Sequence, residues 1–106
     1  MPRTAHFDRS GASITLERWA ELSDDKSYRF VQRTRVHSSD VEVVTLWNGF
    51  DPYRVDFTNE PPRIFIVSEL RTNGDKVDVR EHHTLATEAE ARAAHETLVG
   101  RLRGMG

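Results

Sequence analysis

The 106-residue chain contains no cysteine, which excludes a disulfide framework and a zinc site built from thiolates. Long apolar runs are also lacking. The longest, such as residues 64–67, hold at most four apolar residues, whereas a membrane-spanning helix needs about 20. The N-terminus has no apolar stretch of the kind found in secretory signals. We therefore expect a cytoplasmic protein without a membrane segment.

The chain also has no excess of positive charge. Fifteen basic residues stand against 17 acidic ones, and the formal net charge is −2. Domains dedicated to nucleic-acid binding usually carry a clear basic excess, so nucleic acid is not the expected partner. With 37% hydrophobic and 30% charged residues, the composition is that of an ordinary globular chain large enough for one modest core.

Two segments are typical of strands in the middle of a sheet. Residues 41–47 are rich in β-branched and aromatic side chains, and residues 63–70 share this composition. In both segments apolar residues occur at odd and at even positions, so each face of the strand would carry them. Asn48 and Gly49 end the first strand with turn chemistry, and the long irregular segment 51–62 follows. The pattern predicts that the two strands pair at the sheet centre.

The remaining segments predict the outer elements. Residues 1–12 have no apolar period and are expected to form a flexible N-terminal arm. A short helix is predicted over 15–22 behind a Thr15 cap, with a strand as the alternative because Ile14 and Leu16 alternate with polar residues. Strands are predicted over 28–36 and 76–83, the first followed by a tight connection at 37–40. Alternation along the second strand places Val77, Val79, Glu81 and His83 on one face.

Two local signals predict the elements of the C-terminal half. Asn73-Gly74 is the strongest hairpin signal in the chain, since both residues tolerate the positive φ of a primed turn. Thr87 and Glu90 form a capping box, which starts a helix that runs to about residue 103 or ends at Gly100. The inward stripe of this helix consists of Ala91, Ala94, His95, Leu98 and Leu102.

The predicted fold is α+β. Residues 13–106 form a single α+β domain with a short N-terminal helix, a four-stranded antiparallel β-meander and a long C-terminal helix packed on one sheet face. Central strands that are apolar on both sides need cover on both sides. The N-terminal helix with Trp19 is one candidate cover, and a second copy of the chain, giving a homodimer, is the other.

The order of several motifs resembles a group of small uncharacterised proteins from bacteriophages and their bacterial, often actinobacterial, hosts. The likeness covers roughly residues 15–100 and rests on Tyr28-Arg29, the Trp-x-Gly-x-Asp segment 47–51, the Pro-Pro-x-x-Phe segment 61–65, and a final helix with one histidine. Such proteins tend to have Glu-Thr after the phenylalanine, where Ile66-Val67 stands here. The resemblance implies a phage or prophage origin and carries over no catalytic or binding residue.

The segment 51–62 is the leading candidate for a contact surface. Twelve residues is long for a loop in a compact domain, and such loops are often functional. Tyr53, Arg54 and Phe57 are residue types that anchor protein interfaces, and Asp51 and Trp47 stand at the start of the loop. These residues predict a non-enzymatic protein that binds a protein partner, such as a host factor, through this loop and the adjoining sheet edge. An equal alternative is that Val55 and Phe57 fold back onto the core.

Two further hypotheses stay open. Arg29, Arg33 and Arg35 share a predicted strand face with Val31, which is compatible with nucleic-acid binding or with a solvated, charge-protected edge. If Glu81 and His83 point at the C-terminal helix, they could meet His95 and bind a metal ion in a small metal-dependent enzyme. The simpler interpretation is that His95 is a hydrogen-bonded core histidine, and no cofactor is expected.

Overall fold

The computed structural model describes residues 5–36, 40–51 and 61–105. In chain order the elements are β1 (His6–Phe7), β2 (Ser13–Ile14), α1 (Leu16–Ser23), α2 (Lys26–Arg29), β3 (Phe30–Arg35), β4 (Val41–Trp47), β5 (Phe65–Asn73), β6 (Lys76–Leu85) and α3 (Glu88–Met105). Strands β3 to β6 form an antiparallel sheet in sequence order, and α3 packs across it. The predicted α+β meander with β4 and β5 at its centre is confirmed.

The core lies between the sheet and α3. Thr45 bonds to His95 of α3, so the side of the sheet that carries Thr45 is here called the helix face and the opposite side the far face. The helix face of the two central strands and the inner side of α3 supply most of the fully buried side chains: Val43, Trp47, Phe65, Val67, Ala91, Leu98 and Val99. Burying each large apolar side chain contributes about 1.5–3 kcal/mol relative to exposing it.

Helix α3 begins where the capping box predicts. The Thr87 hydroxyl accepts from the Glu90 backbone N–H at 3.1 Å, and the Glu90 carboxylate accepts from the Thr87 N–H at 3.2 Å. The helix continues through Gly100 to Met105, so Gly100 does not end it. The predicted stripe is buried or half-buried, and Val99 joins it.

Two bulges change which side chains share a face. In β3, Phe30 pairs with Leu46 and Gln32 with Thr45, so Val31 is the extra residue and packs on the core while Phe30 turns to the far face. In β6, Glu69 pairs with Glu81 but Leu70 with Val79, so the extra residue is Arg80. Val77 and Val79 therefore lie on the far face, and Glu81 and His83 lie on the helix face. The expectation that these four share one face was wrong.

The β5–β6 connection is a two-residue turn displaced by one residue from the Asn73-Gly74 prediction. Asn73 pairs with Lys76, and the turn residues are Gly74 and Asp75. Gly74 has φ of +64°, and in the described part of the chain no residue other than glycine has positive φ. Most of the predicted 37–40 connection lies outside the described residues, although Val36 and Val41 are hydrogen-bonded across it.

The predicted strand over 28–36 begins later than expected. Thr15 caps α1 as predicted, by accepting from the Arg18 N–H. Asp25 then accepts from the N–H groups of Ser27 and Tyr28, and this cap turns the chain into the short helix α2 before β3 starts at Phe30. Arg29 consequently belongs to α2 and not to the strand.

Residues 5–12, expected to be part of a flexible arm, supply β1 and the turn of the β1–β2 hairpin. The Asp8 carboxylate accepts from the N–H groups of Ser10 and Ala12 and closes the turn, in which Gly11 has φ of +89°. Phe7 packs against the core. Strands of two residues are too short to show an apolar period, which is why the sequence pattern did not indicate them.

Candidate functional site

The Trp-x-Gly-x-Asp segment, residues 47–51, joins the N-terminal elements to the sheet. The Trp47 side chain is only 2% exposed, and its indole N–H donates to the Phe7 carbonyl at 3.0 Å. Its ring meets that of Tyr28 edge-on, with the centroids 5.0 Å apart. Trp47, predicted to take part in binding, is therefore buried in the core.

Gly49 cannot be replaced without strain. Its φ is +83°, and a Cβ placed on it would lie 2.5 Å from Trp19 and 2.7 Å from Trp47. The Trp19 indole N–H donates to the Asn48 carbonyl at 3.0 Å, and the Gly49 carbonyl accepts from Phe7 N–H at 2.8 Å. The missing side chain lets Trp19 and the β1 strand approach the backbone of the segment closely.

The two ends of the 51–62 loop are held together at its base. The Asp51 carboxylate accepts from the Arg63 backbone N–H at 3.0 Å. Asn48 N–H and Gly49 N–H both donate to the Ile64 carbonyl, at 2.8 and 3.3 Å. Residues 52–60, with the predicted contact residues Tyr53, Arg54 and Phe57, lie outside the described residues. The described part thus defines the base from which the loop leaves.

Three half-buried aromatic rings, here called the aromatic cluster, lie at the start of the loop. The ring of Trp19 is 5.0 Å from that of His6 and 5.9 Å from that of Phe50, measured between centroids. His6 and Phe50 are 6.1 Å apart. None of the three was a predicted site residue. Phe50 adjoins the loop in sequence, but His6 and Trp19 reach it only through the tertiary structure, so the sequence offered no signal for them.

An open pocket of about 380 Å³ lies at the other end of the loop. It is lined by the end of the loop, the end of β6 and the first turn of α3: Pro61, Arg63, Thr84, Leu85, Ala86 and Glu90. The pocket therefore connects the base of the loop to the edge strand β6, which is the adjoining sheet edge named in the prediction.

The three arginines of the nucleic-acid hypothesis do not form one stripe. Arg29 ends α2, and its guanidinium donates to the Ser23 carbonyl at 3.5 Å. Arg33 and Arg35 lie on the far face beside Glu42, with nitrogen–oxygen distances of 2.8 and 3.9 Å to the same carboxylate oxygen. The Arg33 guanidinium also lies over the Phe30 ring. The expected placement of Arg29 with the other two was wrong, because α2 displaces it.

The metal hypothesis placed Glu81, His83 and His95 together, and the structure separates them. Glu81 is paired with His83 and with Arg101 of α3. Nε2 and Nδ1 of His95 are hydrogen-bonded to the hydroxyls of Thr34 and Thr45, at 2.8 and 2.7 Å, over β3 and β4. In the ranges that the structure describes, no group of three His, Asp or Glu residues is arranged to hold a metal ion.

The environment of His95 favours the neutral imidazole. Its side chain is fully buried, and burial lowers the pKa of His95 below its ordinary value, although Glu96 acts in the opposite direction and Arg92 adds slightly to the lowering. A neutral ring has one donor and one acceptor nitrogen, which matches two hydroxyl partners. His95 thus connects α3 to the centre of the sheet.

Within the described ranges, no helix is both long enough and apolar enough to cross a membrane. Comparison of the chain with protein-family models, with curated proteins and with solved structures finds no match.

Proposed function

We propose that this chain is a small, non-enzymatic interaction protein of phage or prophage type. It binds a protein partner, such as a host factor, in the cytoplasm. The contact surface is the 51–62 loop with the surface at its base. The observation that carries this proposal is the aromatic cluster of His6, Trp19 and Phe50 at the start of the loop.

The cluster has the chemistry of an interface anchor. Tryptophan is the residue type most enriched among interface residues that dominate binding energy, and half-buried aromatic rings offer large apolar area at low conformational cost. Trp19 and Phe50 are half-buried, and the Trp19 indole N–H already has its acceptor in Asn48. Their faces can thus contact a partner without losing a hydrogen bond.

The base of the loop is rigidly built, which favours binding. The bonds from Arg63 to Asp51 and from Asn48 to Ile64 hold the two loop ends before any partner arrives. A surface that is already ordered loses less conformational entropy on association. Tyr53, Arg54 and Phe57, whose types suit an interface, are therefore attached to a fixed platform.

The pocket at the far end of the loop extends the same surface. Its lining combines Pro61, Leu85 and Ala86 with the polar groups of Arg63, Thr84 and Glu90. A shallow, mixed pocket of this kind accommodates one apolar side chain of a partner and leaves a polar rim. The phage or prophage origin rests on the sequence resemblance alone, which includes the Trp47, Gly49 and Asp51 motif.

The test is affinity capture from a lysate of the bacterial host, followed by titration calorimetry with each recovered protein. The wild-type chain is compared with the double variant Tyr53→Ala with Phe57→Ala and with Phe50→Ala. We expect the double variant to lower the affinity for the partner at least tenfold, since truncating an anchor residue that dominates an interface costs about 2 kcal/mol or more. Phe50→Ala should give a smaller loss.

The matched control is Thr97→Ala with Arg103→Ala, two exposed positions on α3 beyond the first turn that lines the pocket. It should bind as the wild type does, and circular dichroism should show that all variants remain folded. The proposal fails if no captured protein distinguishes the loop variants from this control.

A further inference from the structure

The far face of the sheet carries a continuous apolar pattern. Strand register places Phe30, Leu46, Ile66 and Thr84 in one row across the four strands, and Arg35, Glu42, Leu70 and Val79 in another. The row between them holds Arg33, Val44, Ser68 and His82, and Val77 follows Val79 on the edge strand. Seven apolar side chains share this face: Phe30, Val44, Leu46, Ile66, Leu70, Val77 and Val79.

Three of these side chains are well exposed. Val77 is 60% exposed, Val79 is 58% exposed and Phe30 is 37% exposed, while Leu46, Ile66 and Leu70 are half-buried and Val44 is buried. Single exposed apolar residues are common, but Phe30 lies beside Leu46 and Val79 beside Leu70, at the two edges of the sheet. Exposed apolar side chains with such apolar neighbours form patches, and patches of this kind mark interaction sites. Trp19, expected to cover a second side of the sheet, contacts Asn48 and Gly49 at the end of β4.

The charge that this face presents to solvent is positive. Arg33 and Arg35 have side chains 58% and 71% exposed, whereas the Glu42 carboxylate between them is 16% exposed. Two guanidinium groups thus cover one carboxylate, and the positive groups are more accessible to a partner than the negative one. Two copies of the chain facing each other would bring like charges together, which disfavours self-association through this face. A partner with acidic side chains is favoured.

The shape of the face fits a helix. On the opposite side, α3 crosses all four strands and covers them with one stripe of its surface. Four strands spaced about 4.8 Å apart are about 14 Å across, which matches a helix about 10–12 Å in diameter. Nucleic acid is disfavoured because six of the seven apolar side chains are aliphatic and do not stack on bases as aromatic rings do.

We propose that the far face binds an amphipathic helix of a protein partner whose apolar stripe packs on Ile66, Leu70 and Val79 and whose acidic flank meets Arg33 and Arg35. This surface lies on the opposite side of the sheet from α3, and the contact residues named for it differ from those named for the loop surface proposed above. One face of the sheet would then be covered by the chain's own helix and the other by a helix supplied by the partner.

A displayed library of random 18-residue peptides tests the proposal. The library is selected on the wild-type chain alone, and the enriched peptides are then measured by fluorescence anisotropy against the wild type and Val79→Arg. We expect enriched sequences to have apolar residues at i, i+3, i+4 and i+7 with Asp or Glu beside the stripe. Val79→Arg should weaken their binding at least tenfold. Arg35→Glu should weaken it several-fold, and this effect should shrink at high salt.

Leu16→Arg is the matched control, because Leu16 lies on α1 and at 58% is as exposed as Val79. It should leave the affinity of these peptides unchanged. The proposal is overturned if no helical pattern is enriched, if the enriched peptides are basic, or if they bind Val79→Arg as well as the wild type. It is also overturned if sedimentation shows a dimer that Val79→Arg dissociates, or if the face retains DNA or RNA in a way that Arg33→Ala with Arg35→Ala abolishes.

Discussion

At the scale of single residues, Gly49 has the least room for a side chain among the described glycines. Gly49→Ala must place a Cβ against both Trp19 and Trp47 at a φ of +83°. We expect it to lower the free energy of unfolding by about 2–4 kcal/mol, as overpacking and left-handed backbone strain combine. Urea denaturation followed by tryptophan fluorescence measures this change.

Gly74 and Gly100 serve to separate the cost of backbone strain at positive φ from the cost of overpacking. Gly74 has φ of +64° but nothing within 4 Å of a Cβ, so Gly74→Ala should lose only about 1–2 kcal/mol from strain. Gly100 lies within α3 with open space around it, and Gly100→Ala should gain about 0.5–1 kcal/mol from helix propensity. If Gly49→Ala were no more costly than Gly74→Ala, the close approach of Trp19 would not be a tight contact.

The turn at Gly49 was predictable from the sequence, but its main constraint was not. Asn48-Gly49 at the end of an apolar strand indicates a turn through local chemistry alone. The contact with Trp19 joins residues 30 positions apart, and no local pattern indicates that an indole fills the space above this glycine. For the same reason, the sequence did not indicate the aromatic cluster.

At the scale of elements, His95 makes the packing of α3 on the sheet sensitive to pH. Burial lowers the pKa of folded His95, so between that pKa and the ordinary value of about 6.5 the unfolded chain binds more protons than the folded one. Stability should therefore be complete above about pH 6.5 and fall as the pH decreases below it. Urea denaturation at a series of pH values between 5 and 8 measures the slope.

His95→Gln removes the titrating ring and should flatten this slope, even if the variant is less stable at every pH. His82→Gln is the matched control, because His82 is an exposed histidine of β6 on the far face. It should keep the wild-type slope. A wild-type slope that persists in His95→Gln would show that carboxylates and not the buried imidazole govern stability in this range.

Element boundaries were predictable where local chemistry decides them. The capping box at Thr87, the Thr15 cap and the apolar run of β4 all depend on neighbours within a few residues. The bulges at Val31 and Arg80 were not predictable, since a bulge exists only relative to the strand it pairs with. Each bulge reverses the face on which the residues beyond it lie. The two bulges therefore place Phe30, Val77 and Val79 on the far face.

At the scale of the whole molecule, the N-terminal hairpin connects parts of the chain that are distant in sequence. Phe7 bonds through its backbone to Gly49 and to the Trp47 ring. At the hairpin turn, the Arg9 guanidinium pairs with Glu88 at the start of α3 at 2.8 Å and lies over the Tyr28 ring. The hydrogen bond from Arg9 also lowers the pKa of the Glu88 carboxyl. These contacts join the hairpin, the sheet and α3 into one body.

Removing residues 1–12 should therefore destabilise the whole domain and not merely trim an arm. The deletion removes the partners of Trp47, Gly49 and Glu88 and uncovers part of the core, so we expect a loss of about 3 kcal/mol or more. Thermal denaturation measures it against a chain lacking only residues 1–4, which keeps all these contacts.

Hydrogen exchange on the intact chain tests the same point without requiring the truncated chain to fold. The Phe7 amide donates to Gly49 inside the structure, whereas the Ser10 amide lies in an exposed turn. If the hairpin is an integral element, the Phe7 amide should exchange orders of magnitude more slowly than the Ser10 amide, at a rate approaching that of the amides in β4. Equal and rapid exchange at both positions, together with an unchanged melting temperature after removal of residues 1–12, would mean that the segment is a flexible arm after all. The aromatic cluster, which depends on the placement of His6, would then have no fixed geometry to offer a partner.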